Sequence, residues 1–265
     1  MIYHMRCSEK NGGVLALVLL CGGLSAYCQQ PFVGDPPSYY SAQNPPLPVD
    51  QVAKKLEERD AERSGALYQF SGRRVYRMQY RGFFSDHDAQ MVVDVTYHAP
   101  NVKQFKVVSQ SGSSFVIDHV FKKLMESEQE FVRDEKQLTG LNTENYNFTF
   151  AGYEQTPDGA EYVLNLHPKK RNKFLYCGKI WVDAKDFAVV RIEAEPAQSP
   201  SIWIKRTEIE HSYMKVGDFW LPAADHTESD IRFGGEAILS IDYRDYRIIK
   251  AAPLPSIERA RAESH

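Results

Sequence analysis

The 265-residue sequence predicts a mainly β fold with a smaller helical part, built on a strongly curved antiparallel sheet of about ten or eleven strands. Three observations lead there. Apolar and polar residues alternate over most of the chain, in runs separated by short polar turns, which is the pattern of hairpins with one buried face. Fifteen Tyr and fourteen Phe suit strands better than helices. That many consecutive strands exceed what a flat open sheet tolerates, so the sheet must curl. The clearest unit runs from Phe174 to Ala194. Phe174, Tyr176, Gly178, Ile180 and Val182 alternate with their neighbours, Asp183 to Asp186 breaks the run, and Ala188, Val190, Ile192 and Ala194 resume it.

Taken in order, residues 1–28 have the form of a signal peptide. Arg6 and Lys10 mark a polar start, Val14 to Leu24 is apolar, and Ala26-Tyr27-Cys28 offers a cleavage site. The apolar run is too short to span a bilayer comfortably. Export to the periplasm is therefore expected. A lipoprotein anchored through Cys28 is the alternative, which the bulk of Tyr27 disfavours. Removal of Cys7, Cys21 and Cys28 would leave Cys177 alone as a small buried residue in a strand. Residues 29–48 form a proline-rich linker. The folded domain is expected over 49–250, with 251–265 as a loose tail.

Within the domain, Val49 to Ser64 reads as a helix capped by Asp50, striped by Val49, Val52, Ala53 and Leu56, and stopped by Gly65. Three meandering strands follow. Leu67 to Phe84 places Tyr76, Met78 and Tyr80 on one face. After a turn at Ser85 to Asp88, the second strand carries Met91, Val93, Val95 and Tyr97, and the third runs from Lys103 to Gln110. From Phe115 to Leu138 the period turns helical through Ile117, Val120, Phe121, Leu124 and Phe131, with Lys122, Lys123, Glu126, Glu128 and Glu130 on the solvated side. Strands resume at Tyr146 to Tyr153, Tyr162 to Pro168, the hairpin above, Ile202 to Met214, Asp218 to Glu228 and Ile231 to Ile249. In the last of these, Leu239, Ile241 and Tyr243 oppose Ser240, Asp242 and Arg244.

The net charge of -3 gives no electrostatic reason to expect nucleic acid or tight adhesion to an anionic membrane. No catalytic motif emerges. Gly112-Ser113-Ser114 lacks the glycine pattern of a nucleophile elbow, and Gly234-Gly235 reads as a turn rather than a phosphate loop. His87, between Asp86 and Asp88, reads as a solvated turn, since adjacent residues cannot all face one ion. His211 and His226 lie near acidic residues without ligand spacing. Lys169-Lys170-Arg171 reads as a solvated hairpin tip, and Asn147-Phe148-Thr149 matches a glycosylation acceptor inside a strand. No metal, cofactor or catalytic residue is assigned.

Several short stretches resemble the LolA-like superfamily of outer-membrane lipoprotein-sorting proteins, which includes RseB-like envelope sensors. They are Tyr162 to Pro168, Ile180-Trp181-Val182-Asp183 with Val190-Arg191-Ile192-Glu193, Gly217 to Pro222, and Tyr97-His98-Ala99-Pro100 with Phe105 beyond. The resemblance covers about residues 49–249 and implies an incomplete barrel whose concave face is covered by helices. It also implies a non-enzymatic, monomeric protein of the periplasm that binds lipid or the acyl chains of lipoproteins, with envelope proteins as alternative partners. Carriers of this kind commonly have an Arg before the turn proline, where this chain has Ala99. The wide sheet of such a half-barrel leaves an apolar interior partly unfilled. Its expected lining is Tyr76, Met78, Tyr80, Met91, Val93, Val95 and Tyr97 from the strands and Val120, Phe121 and Leu124 from the helix. Acyl chains suit such a lining, because burying each methylene contributes about 0.8 kcal/mol.

Overall fold

A computed structural model describes residues 45–254, except 84, 101, 130–139, 158, 173, 200 and 233. The signal peptide, most of the linker, the second half of the long helix with Phe131, and nearly all of the tail lie outside the described residues.

Among the described residues ten strands form one antiparallel sheet that does not close on itself, an incomplete barrel. In chain order they are β1 (Leu67–Gly82), β2 (Asp86–His98), β3 (Val102–Gly112), β4 (Tyr146–Thr156), β5 (Gly159–Pro168), β6 (Tyr176–Asp183), β7 (Val189–Pro196), β8 (Ile204–Val216), β9 (Phe219–Ile231) and β10 (Gly235–Ala251). Their spatial order is β3-β2-β1-β10-β9-β8-β7-β6-β5-β4. Strands adjacent in sequence pair, except β3 and β4, which form the two rims, and the first and last strands pair with each other inside the sheet.

The helix α1 (Val49–Ala66) starts after Pro48, which leads in with extended backbone and makes no side-chain cap. Asp50 lies inside the first turn rather than capping, and the helix runs past Gly65 into β1. Its stripe of Val52, Ala53 and Leu56 is buried as expected. It packs on a core formed by Tyr162, Leu164 and Leu166 of β5, Tyr176, Ile180 and Val182 of β6, and Ile192 of β7.

The second helical segment combines α2 (Ser114–Val116), a π-helical turn (Ile117–Phe121) and α3 (Lys122–Gln129). Ser113 caps it, its hydroxyl accepting from the Val116 amide at 3.5 Å. Ile117, Phe121, Leu124 and Met125 pack on Tyr76 of β1, on Ala89, Met91, Val93 and Val95 of β2, and on Ile241 and Tyr243 of β10. A third, smaller core joins Leu67, Phe70, Tyr97, Phe219 and Leu221 at the end of the sheet.

Three details depart from the simple alternation. A register shift between Trp181 and Val182 places Val189, not Val190, opposite Val182, so Val189 takes the buried position and Val190 is half-buried. Asp245, at φ 54°, sits in another irregularity, between the Arg73–Arg244 and Ser71–Arg247 pairs, that turns Tyr246 toward the inner cores. Cys177, expected as a small buried residue, is half-buried in β6.

Candidate functional site

The inner face carries two apolar halves, one under α1 and one under α3, with a polar centre between them. The centre starts on β8, where His211 pairs across the ladder with Asp225 of β9. His211 Nδ1 and Asp225 Oδ1 are 2.7 Å apart, and His211 Nε2 lies 3.2 Å from the hydroxyl of Tyr176 on β6. The other carboxylate oxygen of Asp225 accepts from the Tyr243 hydroxyl of β10 at 2.5 Å. The Arg74 guanidinium sits 4.9 Å from the centre of the Tyr243 ring and 5.4 Å from that of Phe105, in cation–π contact with both.

From Arg74 the chain of polar contacts continues to α3. Arg74 Nη1 donates to Glu128 at 2.7 Å and to the Tyr76 hydroxyl at 3.1 Å. Lys103 Nζ of β3 donates to the second oxygen of Glu128 at 2.6 Å. The Gln129 amide nitrogen donates to the Lys103 carbonyl at 3.3 Å. The side chains of Arg74, Lys103 and Glu128 are 7%, 2% and 7% exposed, so this is an ion triad inside the protein.

Burial alone disfavours the charged form of each of these groups. Although burial opposes its charge, Glu128 is held down to about 2 by the Arg74 and Lys103 cations. Burial likewise opposes the charge of Arg74, yet the Glu128 carboxylate keeps its guanidinium well above the ordinary range. Burial lowers Lys103 to about 8 in spite of Glu128. Burial also pushes Tyr76 up to about 12 and raises Tyr176 and Tyr243 well above the usual phenol range, the Asp225 charge adding to it. The triad is ionised at neutral pH and ties α3 to strands β1 and β3.

The ten residues expected to line the interior come together in part. Tyr76, Met91, Val93, Val95, Phe121 and Leu124 are buried in one core, with Met78 and Val120 half-buried at its margin. The Tyr76 and Phe121 rings meet at 5.6 Å between centroids. Tyr97 belongs instead to the third core, where its ring stacks on Phe70 at 5.1 Å and its hydroxyl donates to the Pro100 carbonyl at 2.8 Å. Tyr80, half-buried at the far end of β1, stacks on His87 at 6.0 Å. His87 is not simply a solvated turn, since it also stands 3.0 Å from the Ser85 hydroxyl and 3.5 Å from that of Ser113.

Glu128 is the clearest correction. It was expected on the solvated face of its helix and is instead buried, because the sheet presents two cations beneath it. Lys103, the first residue of the expected third strand, is buried for the same reason. His211, read as a chance neighbour of acids, sits at the middle of the polar centre. Its spacing from Asp225, across a two-residue hairpin turn, was the one available signal. His226, by contrast, is half-buried and pairs with Glu228 and Ser240. Among the described residues no group of His, Cys, Asp and Glu is placed to hold a metal ion, and no helix is long and apolar enough to cross a membrane.

Along β8, β9 and β10 the floor between the halves is only half-buried. Ile209, at the margin of the α1 core, lies beside Thr227 of β9, which lies beside Leu239 of β10, at the margin of the α3 core. Met78 pairs with Leu239 on the other side.

No family model matches the chain, and no curated protein matches it. Solved structures do. A DUF1329 family protein from Desulfovibrio piger is 12% identical with a TM-score of 0.37, over 76% of this chain and 93% of that one. An outer-membrane lipoprotein-sorting protein domain from Vibrio parahaemolyticus is 13% identical with a TM-score of 0.37, over 77% and 94%. A LolA superfamily protein from Nitrosomonas europaea is 15% identical with a TM-score of 0.32, over 79% and 96%. The chain is thus similar to lipoprotein-sorting and LolA-superfamily structures along about three-quarters of its length, at identities that assign it neither ligand nor activity.

Proposed function

We propose that the chain is an exported, non-enzymatic binding protein that holds a lipid, or the acyl chains of a lipoprotein, against the inner face of its open sheet. The observation that carries this reading is the half-buried floor of Met78, Ile209, Thr227 and Leu239 between two separately roofed apolar cores. An acyl chain laid on it would extend both cores, with hydrophobic burial as the driving force. The expected lining residues Tyr76, Met91, Val93, Val95, Phe121 and Leu124 would then support the floor, while Met78 would touch the guest. Loading and release would follow movement of the helical cover. The test is mass spectrometry of organic extracts from protein purified out of the cell envelope. Acyl species at near-stoichiometric yield are expected. A delipidated sample that takes up neither fatty acyl probes nor lipopeptides would overturn the reading.

A second reading, an envelope sensor or protein-interaction module, draws on β3. This rim strand exposes Val102, Val107 and Val108 at 52%, 42% and 49%, and a rim strand with exposed apolar residues suits pairing with an added strand. A stoichiometric protein partner recovered without lipid, and lost when Val107 and Val108 are changed to Lys, would favour it.

A further inference from the structure

The polar centre contains hydroxyls that the protein does not use. Tyr213 follows His211 by two positions on β8, and Tyr246 is turned inward by the irregularity at Asp245. Both are half-buried, and among the described residues neither hydroxyl makes a hydrogen bond. Burial nonetheless raises both above the ordinary phenol range, Tyr213 with the charge of Asp225 added, Tyr246 against the pull of Arg74. They flank the Tyr176–His211–Asp225–Tyr243 chain.

The charges that face them are already matched. Arg74 of β1 and Lys103 of β3 oppose Glu128 of α3, and Asp225 of β9 receives His211 and Tyr243. From α1, Asp60 acts on Tyr213, and Arg63 donates to the carbonyls of Asp186 and Phe187. A further ion of either sign would be desolvated there without a counter-charge of its own. An uncharged head with hydroxyl and ester groups meets no such penalty, and it can both donate to and accept from tyrosine hydroxyls.

We propose that this centre is a headgroup subsite for an uncharged, hydroxyl-bearing amphiphile, a glycerol ester of a fatty acid. Its head bonds the Tyr213 and Tyr246 hydroxyls while its chain lies along Ile209, Leu239 and Met78. The inference builds on the binding reading above and adds the class of ligand. The experiment is calorimetric titration of the delipidated full chain with 1-monooleoylglycerol, oleate and oleylamine, and of the Tyr213→Phe and Tyr246→Phe variants with the same three. Monooleoylglycerol is expected to bind tightest. Each variant is expected to weaken it about three- to tenfold, the loss of one hydrogen bond, and to leave oleate unchanged, which also verifies that the variants fold. Oleate or oleylamine binding as tightly, or a glycerol-ester preference that survives both variants, overturns the subsite while leaving the carrier reading intact. Failure of all three amphiphiles to bind overturns both.

Discussion

α1 and the α2–α3 segment cover the same face of the same sheet, yet they are held to it by different forces. α1 lays Val52 and Leu56 on the β5–β7 core and runs directly into β1. Its polar ties are Arg63 to the carbonyls of Asp186 and Phe187, at 2.9 and 3.0 Å, and Lys55 over the Phe187 ring. The other segment has an apolar side too, but it ends in Glu128, buried between Arg74 and Lys103. An apolar stripe holds over a wide pH range, because burying hydrocarbon does not depend on protonation. An ion triad holds only while all its members keep their charge, and it fails sharply when one is lost. The lesson is that α1 is held mainly by hydrocarbon burial, whereas α3 is held by charge as well.

Removal of the Glu128 carboxylate tests that contrast most severely. Glu128→Ala leaves two buried cations unpaired and should destabilise the fold by about 3–5 kcal/mol, read from the urea midpoint. Replacing Arg74, Lys103 and Glu128 together with apolar residues of similar size should recover most of that loss. If Glu128→Ala is silent, α3 is held by its apolar side alone. Leu56→Ala under α1 should cost about 2–5 kcal/mol through the cavity it leaves and should leave the pH dependence of stability unchanged.

Acid should separate the two covers without any mutation. Folding depresses the Glu128 carboxyl from 4.5 to about 2. Its contribution is therefore complete above about pH 4.5 and disappears as the pH falls through about 2. That contribution is on the order of 3 kcal/mol, and its loss should appear as a falling melting temperature that Glu128→Gln flattens. At the small end, Arg73→Ala on the outer face removes an exposed pair with Asp94 and should leave the urea midpoint unchanged within error. A large effect there would mean that the outer charges, and not the buried triad, organise this half of the sheet.

Much of the architecture was legible because periodicity is local. Met91, Val93, Val95 and Tyr97 all turn inward as their alternation implies, and Val52 and Leu56 mark the buried side of α1. What escaped is set by contacts between distant residues. Arg74, Lys103 and Glu128 each look like solvated charges when read singly, and only the folded sheet brings the three together. The irregularities at Trp181/Val182 and Asp245 shift the inward parity by one residue, which alternation cannot anticipate, so Val190 and Tyr246 were misplaced or passed over. The π-helical turn changes the phase of the second helical segment in a similar way, and Met125 joins the core while Val120, expected in the lining, is half-buried at its margin. The pairing of His211 with Asp225 follows from the β8–β9 register, which an irregularity between Ser212 and Tyr213 also modifies.

The meeting of β1 with β10 has a consequence for how the molecule is made. Hairpins such as β4–β5 and β8–β9 can zip as soon as they emerge, but Leu67 finds Ala251 only after a loop of nearly the entire folded chain has closed, a slow and entropically costly step. Without that pairing β1–β3 and β4–β10 share no ladder, and each would leave an inner border open to strands from other molecules. The seventeen residues of β10 are the keystone, and a chain clipped before Gly235 would not be a smaller version of this protein but two unfinished ones.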